Sequence, residues 1–418
     1  MITMIDLNTL ISSSENILGK LQSRGEEIPL DNIKELDSKR KNLIQESDQL
    51  RSFRNSENKR IGDSKEKPSL EHINKMRDIS DKLNKINVNL IDIESQLNEL
   101  LLVIPNVPLD EVLIGNDETD NKVIFTKEDV KNKKTTKPHW EIAPNLGILD
   151  MEQGVKLAGS RWYVLKGKGA ILQRSLVSWM LEKHNKNGYL EIAPPFLVKE
   201  EVMVGSGNLP KFSDLLYRDI EEDLWLIPTS EVALNSLHFG EIIPHEFPLK
   251  YVSHSQCFRR EKAAAGRETR GIKRVHQFEK VELFRFELPE NSRDAFDEMV
   301  KEVQLLCDEL GLIYRSVELC TGDLGFQSAK TIDIEVWAQG SQDWLEVSSI
   351  STCTDFQSRR TKTRYKDEGE IIYPHTLNGS ALAIPRILIS ILENNLQDDG
   401  SVLVPKVLQK YTGFERID

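Results

Sequence analysis

A seven-residue repeat of apolar side chains marks the first part of the chain. Alternating steps of four and three residues separate Ile79, Leu83, Ile86, Leu90, Ile93, Leu97 and Leu100. This spacing places two apolar positions of every heptad on one face of a helix, as in the seam of a coiled coil. An earlier segment repeats Leu36, Leu43 and Leu50, and its alternate seam positions are the polar residues Arg40, Ser47 and Arg54.

The segment between these two repeats contains residues that break helices. Gly62 can end one helix, and Pro68 can occupy the first turn of the next. Two long helices joined by one tight break form an antiparallel hairpin. The pattern therefore predicts that residues 1–105 form a helical arm, built as an antiparallel two-helix coiled coil.

The pattern changes after residue 105. From Gly154 onward, helical periodicity, as in 169–184 and 292–310, alternates with short strand-like segments, as in 274–288 and 331–337. Such strands favour an antiparallel sheet with helices packed on it over a parallel, doubly wound fold. The sequence therefore predicts an α+β protein, with a second domain in residues 106–418. Because no GxGxxG or GxxxxGK[ST] loop follows a strand, any nucleotide must bind in another way.

The distribution of charge bears on what the arm could contact. The chain carries 55 basic and 67 acidic side chains, a formal net charge of −12, which argues against a protein that coats nucleic acid non-specifically. Residues 51–67, from Arg51 to Lys67 around the break, nevertheless hold six basic and three acidic side chains. We call this segment the basic tip. A solvated face, a contact with a phosphate backbone and a dimerisation coiled coil are all open interpretations of it.

The cysteines and histidines limit the kind of site that the chain could carry. The four cysteines include no CxxC pair, and the eight histidines show no HxxxH or HExxH spacing, so we expect no zinc site. Unpaired cysteines are typical of a reducing compartment. The start, MITMIDLNTL, lacks the features of a signal or transit peptide, and no apolar run is long enough to span a membrane. We therefore expect a cytoplasmic protein with no membrane partner.

Two alternating segments carry the candidate chemistry. In CFRRE (257–261), Arg259 and Glu261 share one face of a strand, and in RVHQFEKVE (274–282) the shared face carries His276, Phe278, Lys280 and Glu282. A face this polar makes a poor core, so we expect it to line a cleft. Phe278 could stack an adenine ring, while Glu282, about 13 Å away along the strand, could hold an ammonium group. Arg259 could bind an α-phosphate, because arginine contacts two oxygens at once.

The order of the motifs resembles the seryl-tRNA synthetase family, class II enzymes whose common bacterial-type form has an N-terminal coiled-coil arm. FRRE followed by RVHQF and KVE is similar to motif 2, GYLEIAPPFLV (188–198) to motif 1, and TLNGSALAIPRILISILEN (376–394) to motif 3. Further family blocks are resembled by LIPTSE (226–231), LCTGDLGFQSAKTIDIEVW (319–337) and LEVSSISTCTDFQSRR (345–360). The resemblance implies a class II catalytic domain in residues 106–418, built on a mainly antiparallel sheet flanked by helices.

The resemblance also implies a reaction and its residues. The enzyme would activate L-serine with ATP to seryl-adenylate and transfer serine to the 3′ end of tRNA(Ser). The implied catalytic residues are Arg259, Glu346 and Arg386. The implied ATP-binding residues are Arg259, Arg260, Glu261, Val275, Phe278, Glu346, Val347, Ser348, Ser349 and Arg386. The implied serine-binding residues are Thr229, Ser230, Glu231, Glu282 and Ser380. Glu346 and Ser349 would bind Mg²⁺ together with ATP.

Macromolecular partners follow from the same resemblance. tRNA(Ser) would bind the arm at the basic tip, and tRNA(Sec) would be a further substrate where the organism makes it. Motif 1, with Pro194 and Pro195, would form a homodimer interface. Two other classes stay open. One is a related ligase that loads an amino acid onto a carrier protein, and its members lack the arm and use zinc. The other is a non-catalytic paralogue kept for binding.

Overall fold

The computed structural model describes residues 7–12, 14–64, 69–127, 137–262 and 270–418. The chain divides into two compact units. We call Met1–Gln22 with Glu26–Ile104 the arm unit, and Ser23–Gly25 with Pro105–Asp418 the sheet unit. Within the described parts of the chain, no helix is both long and apolar enough to cross a lipid bilayer.

The arm unit consists of helices α1 (Leu7–Ser12), α2 (Ser14–Gln22), α3 (Leu30–Ser64) and α4 (Leu70–Leu102). On α4, the predicted seam residues Ile79, Leu83, Ile86 and Leu97 are buried. Helix α3 packs against α4. His72 at the start of α4 lies 3.6 Å from Glu57 near the end of α3, so the two helices run antiparallel. The predicted coiled-coil arm is confirmed.

The prediction that Gly62 ends the first helix is wrong, because α3 continues to Ser64. One glycine in an exposed helix costs only about 1 kcal/mol relative to alanine, so the turns on either side carry the helix through it. Helix α4 begins where the Ser69 hydroxyl accepts a hydrogen bond from the His72 N–H at 3.1 Å, which is a side-chain N-cap. Pro68 and the tip residues 65–67 lie outside the described residues.

The sheet unit is organised around an eight-stranded sheet. In chain order its strands are β1 (Lys122–Thr126), β2 (Leu190–Glu191), β3 (Leu249–Phe258), β4 (Gln277–Glu287), β5 (Tyr314–Glu318), β6 (Lys330–Ala338), β7 (Asp343–Thr354) and β8 (His375–Ala383). They lie in the order β1-β5-β6-β7-β8-β4-β3-β2. The short pair of β2 and β3 is parallel, and the other neighbouring pairs are antiparallel.

Helices and small sheets surround this sheet. The helices are α5 (His139–Asn145), α6 (Met151–Ala158), α7 (Lys168–Lys186), α8 (Glu200–Ser206), α9 (Glu231–Asn235), α10 (Ser292–Leu310), α11 (Phe356–Thr361), α12 (Ile384–Asn394) and α13 (Gln409–Thr412). Short strands pair outside the main sheet at Leu149–Asp150, Val164–Leu165, Leu197–Lys199, Arg218–Asp219, Leu224–Leu226, Ile242–Ile243, Arg364–Asp367, Glu370–Ile372, Val402–Leu403 and Arg416–Ile417. The predicted α+β fold with a mainly antiparallel sheet is confirmed, and α7 and α10 match the predicted helical segments.

The two faces of the sheet have different roles. Val281 and Leu283 of β4 belong to an apolar core that also includes Leu176 of α7, Met299 of α10 and Leu388 of α12. Because side chains alternate along a strand, Lys280 and Glu282 of β4 lie on the opposite face. That face carries the polar cavity.

Candidate active site

A cavity of 480 Å³ opens on the polar face of the sheet unit. Strands β4, β7 and β8 form its floor, and the segments before α9, after β3 and before β4 form its walls. Twelve of the predicted site residues line it: Thr229, Glu231, Arg259, Glu261, Val275, Phe278, Glu282, Glu346, Val347, Ser349, Ser380 and Arg386.

Arg259 and Glu261 reach the cavity from a loop. The predicted strand through residue 261 is wrong at its end, because β3 stops at Phe258. Glu261 has a φ of +46°, in the left-handed region, which cannot continue a strand. The turn is held by Arg161, whose guanidinium donates a hydrogen bond to the Glu261 carbonyl at 2.8 Å.

An arginine and an aromatic ring stand together at one end of the cavity. The Arg259 guanidinium lies 5.2 Å from the centre of the Phe278 ring, in a cation–π contact. Its Nε also donates a hydrogen bond to the Pro228 carbonyl at 3.3 Å. This end therefore offers a flat apolar surface beside a fixed positive charge, which suits a nucleobase and its phosphates.

A buried carboxylate occupies the other end. Glu282 forms an ion pair with the Lys280 ammonium and accepts a hydrogen bond from the Thr229 hydroxyl at 3.2 Å. Ser380 lies opposite Glu282 on β8. Between Ser380 and Ala383 the register shifts by one residue, and this bulge lets both residues face the cavity.

Glu231 adds a second carboxylate beside Glu282. Its Oε1 accepts hydrogen bonds from the Gln357 amide at 2.7 Å and the Asn378 amide at 3.1 Å. Burial, followed by repulsion from Glu282, raises the pKa of Glu231 to about 7, although Lys280, Gln357 and Arg259 act to lower it. Two buried carboxylates with hydroxyl groups beside them suit a small ligand that carries an ammonium group.

Glu346 and Arg386 pair at the nucleotide end of the cavity. The Arg386 guanidinium donates to the Glu346 carbonyl oxygen and lies 3.3 Å from its carboxylate. Partial desolvation of Glu346, whose side chain is 47% exposed, acts to raise its pKa, but Arg386 and then Arg259 outweigh it and hold that pKa below its usual range. Val347 is the extra residue of a bulge between β6 and β7, which brings both Glu346 and Val347 to the cavity.

Asp333 lies beside this pair and was missed from the sequence. It pairs with Ser349 in the register of β6 and β7, and its Oδ1 is buried with no hydrogen-bond partner. Burial and the Glu346 charge raise the pKa of Asp333 well above its usual range. Asp333, Glu346 and Ser349 offer the oxygen ligands that a hard cation prefers. Among the described residues, no three His, Cys, Asp or Glu side chains form a metal site of their own.

Three of the predicted residues do not line the cavity. Ser230 accepts a hydrogen bond from the Ser255 hydroxyl at 3.1 Å, away from the opening. The Arg260 guanidinium lies 5.0 Å from the centre of the Tyr217 ring. The Ser348 hydroxyl donates to the Ser380 carbonyl at 2.6 Å. Ser348 therefore supports a cavity residue, whereas the Arg260 guanidinium contacts a ring that does not line the cavity.

Lys280, Gln357 and Asn378 complete the site, although none was predicted to bind a ligand. Lys280 was predicted to share the cleft-lining face of β4 with Phe278 and Glu282, and it does line the cavity, but no ligand was assigned to it. Gln357 and Asn378 lie within segments that resemble family motifs, but no periodicity relates either residue to Glu231. Their role depends on the packing of α11 and β8, which spacing along the chain does not encode.

Two family models match the chain. A model described as "Seryl-tRNA synthetase N-terminal domain" matches residues 4–108. A second, described as "tRNA synthetase class II core domain (G, H, P, S and T)", matches residues 211–395. The first match falls on the arm unit, and the second contains all the predicted site residues that line the cavity.

Curated proteins and solved structures resemble the chain over its length. "Serine--tRNA ligase" of Thermomicrobium roseum is 48% identical over 99% of this chain and 94% of its own. The protein of the same name from Dehalococcoides mccartyi is 44% identical over 99% of this chain and 100% of its own. The seryl-tRNA synthetase of Pyrococcus horikoshii, solved with ATP, is 35% identical with a TM-score of 0.92 over 99% of both chains. The serine–tRNA ligase of Naegleria fowleri, solved with AMP, is 30% identical, with a TM-score of 0.86 over 99% of this chain and 98% of its own.

Proposed function

The chain belongs to the seryl-tRNA synthetase family, and on this premise we propose how its cavity performs the reaction of a serine–tRNA ligase. Its activity is that of a class II aminoacyl-tRNA synthetase, with ATP as a substrate. The observation that carries the proposal is one continuous cavity with an arginine and an aromatic ring at one end and two buried carboxylates at the other.

Serine binds at the carboxylate end. Its ammonium group pairs with Glu231 and Glu282, and its hydroxyl group bonds with polar atoms of Thr229 and Ser380. A site that hydrogen-bonds the hydroxyl group discriminates strongly against alanine, because its own polar groups would be left unpaired. Gln357 and Asn378 keep the Glu231 carboxylate in position.

ATP binds at the other end. Adenine stacks on Phe278, near Val275 and Glu261, while Arg259 contacts the α-phosphate and Arg386 the outer phosphates. In the first step, an oxygen of the serine carboxylate forms a bond to the α-phosphorus, the bond to the bridging oxygen breaks, and pyrophosphate leaves with that electron pair. Fixed guanidinium groups stabilise the charge that develops on the phosphate oxygens. In the second step, the 3′-terminal hydroxyl oxygen of tRNA forms an ester bond to the activated carbonyl carbon and loses its proton, while the bond from that carbon to the phosphate oxygen breaks and AMP leaves with the electron pair.

Mg²⁺ fits beside Glu346 and Ser349. The buried, unpartnered Oδ1 of Asp333 supports this assignment, because an oxygen atom without a hydrogen-bond donor is available to a cation or to its bound water. When bound with ATP, Mg²⁺ would neutralise charge on the phosphates. Arg386 approaches the same carboxylate at 3.3 Å, so Glu346 orients the arginine that faces the phosphates.

Replacement of one of two adjacent arginines tests this assignment. Arg259→Ala is expected to lower serine-dependent ATP–pyrophosphate exchange about 100- to 1,000-fold, because a fixed donor to the developing charge is removed. Arg260→Ala is the matched control and should stay close to the parent protein, since its guanidinium contacts Tyr217 outside the cavity. Equal losses in the two variants would contradict the roles given to this loop.

The arm unit binds tRNA(Ser) through its basic tip. The match of residues 4–108 to the N-terminal model supports a tRNA partner over a carrier protein. Backbone recognition by shape and charge does not depend on base sequence, so tRNA(Sec) is a second substrate where the organism makes it. The four unpaired, buried cysteines support a cytoplasmic location.

Two copies associate through the motif 1 segment. Leu190 and Leu197 expose 60% and 44% of their surface, and Phe196 between them exposes 36%. Leu190 lies in β2, the edge strand of the sheet, and Phe196 and Leu197 follow it in the chain; exposed apolar side chains on and after an open strand favour pairing with another chain. Sedimentation should give twice the 47.8 kDa mass of one chain.

A further inference from the structure

A buried histidine outside the cavity contacts two parts of the sheet unit. His139 begins α5 and is 1% exposed. Its Nδ1 lies 2.8 Å from the Glu393 carboxylate, and its Nε2 accepts a hydrogen bond from the Ile272 N–H at 3.1 Å. Because a backbone N–H can only donate, Nε2 carries no proton, so Nδ1 carries it and donates to Glu393. The imidazole therefore links the Ile272 backbone to the Glu393 carboxylate, as an acceptor at one ring nitrogen and a donor at the other. We call this link the bridge.

The residue before Ile272 is adapted to this contact. Gly271 has a φ of +73°, and a Cβ atom built on it would lie 1.9 Å from His139 Nε2. No side chain larger than hydrogen fits there without moving the histidine. The backbone conformation and the close approach both require glycine, so the imidazole and this turn are fitted to each other.

The other end of the bridge is firmly held. Glu393 is fully buried on α12 and also accepts hydrogen bonds from the backbone N–H of His139 at 2.9 Å and of Ser341 at 2.8 Å. Burial acts to raise its pKa, but the hydrogen bond from the His139 imidazole, followed by those from the two backbone N–H groups, outweighs burial and lowers it. Arg386 lies seven residues earlier on the same helix, about 10 Å along its axis.

The turn at Gly271 and Ile272, which His139 contacts, leads directly into the cavity wall. The three residues that follow Ile272, at 273–275, all line the cavity. The Arg274 guanidinium lies 3.6 Å from the Glu261 carboxylate, and Lys273 pairs with Asp343. The position of Ile272 therefore sets where three consecutive wall residues stand relative to Glu261 and Phe278.

We propose that His139 is a positioning residue for ATP binding, which fixes the wall segment 273–275 relative to the helix that carries Arg386. The proposal rests on the assignment of this end of the cavity to ATP. His139 contacts no substrate. It determines the spacing between the surface that holds adenine and the arginine that faces the outer phosphates, while the serine end is built from other segments.

Two substitutions separate the two halves of the bridge. His139→Asn keeps a donor at the Nδ1 position for Glu393 but leaves the Ile272 N–H without an acceptor. His139→Gln places an acceptor near the Nε2 position, and Glu393 still accepts hydrogen bonds from Ser341 and from the His139 backbone position.

In ATP–pyrophosphate exchange, His139→Asn is expected to raise the KM for ATP about tenfold or more, as for loss of one buried hydrogen bond. The KM for serine of His139→Asn should change less than about twofold. The KM for ATP of His139→Gln should stay close to that of the parent protein.

Thermal unfolding of both variants separates positioning from a merely structural role. A structural role predicts that the KM values and the unfolding midpoint change in parallel in both variants. Parallel changes, an unchanged KM for ATP in His139→Asn, or a rise in the KM for serine alone would each overturn the proposal. Gly271→Ala should reproduce the His139→Asn phenotype, which covers the case in which His139→Asn fails to fold. Failure of the ATP assignment itself would show separately, as undiminished exchange in Arg259→Ala.

Discussion

The pKa of Glu231 shows how burial can change the charge of a single residue near neutral pH. Its pKa of about 7 means that the carboxylate takes up a proton as the pH falls through neutrality. In the proposed binding mode, the serine ammonium would then lose part of its counter-charge. The KM for serine should therefore rise by up to about tenfold per pH unit below pH 7 and level off above it, as measured by ATP–pyrophosphate exchange at saturating ATP.

The neutral analogue provides the control for this prediction. Glu231→Gln should bind serine weakly at every pH and should lose the dependence between pH 5.5 and 8. If the dependence persists in Glu231→Gln, another group is responsible for it. The KM for ATP should stay flat across this range in the parent protein, because Glu231 lies at the serine end.

Individual residues of the site could be predicted as far as strand alternation and motif order reach. Phe278 and Glu282 were placed correctly on one cavity face, because β4 is a regular strand there. Alternation fails at bulges and turns, where one extra residue changes which side chains face the cavity. Val347 faces the cavity only because of a bulge, and Glu261 does so from a left-handed turn. Such local irregularities depend on packing between strands and leave no periodic signal.

At the scale of elements, the arm is stabilised by its seam. Leu97 on α4 is fully buried, so Leu97→Ala should destabilise the arm by about 3 kcal/mol through lost burial and the resulting cavity. Urea unfolding followed by helical circular dichroism should measure the loss. Val88→Ala on the same helix is the control, because Val88 is 66% exposed, and its effect should stay within about 0.5 kcal/mol. Similar losses in both variants would contradict a seam at Leu97.

Elements with a strong period could be predicted closely, whereas the ends of α3 and β3 could not. The seam from Ile79 to Leu97 and the helix Ser292–Leu310 follow directly from apolar spacing. The end of α3 was misjudged, because the cost of one glycine is small against the cooperativity of a long helix. Likewise, β3 ends at Phe258, although Arg259 and Glu261 continue its alternation.

At the scale of the whole molecule, the two units are expected to divide the reaction between them. In the double variant Arg51→Ala/Lys59→Ala, the KM for tRNA(Ser) in aminoacylation should rise about tenfold at physiological salt. With fewer phosphate contacts, fewer counterions are released from the tRNA on binding. ATP–pyrophosphate exchange, which needs no tRNA, should be unchanged. Lys39→Ala, outside the basic tip on the same helix, is the matched control.

The salt dependence of aminoacylation adds a second criterion. The parent protein should lose affinity for tRNA as salt increases, and the Arg51→Ala/Lys59→Ala variant should do so with a shallower slope. A parallel loss of exchange and aminoacylation in the variant would contradict the division of labour between the units.

The ion pair between Lys280 and Glu282 has a consequence for how the amino acid enters. Because the Lys280 ammonium already contacts the Glu282 carboxylate, the proposed binding of serine at Glu282 would replace one resident cation with another. The free protein thus avoids the penalty of an uncompensated buried charge, and the net gain on binding is the difference between two similar contacts. In the proposed binding mode this end of the cavity would work as a cation-exchange site, and an amino acid whose amine is acylated would have no charge with which to displace the lysine.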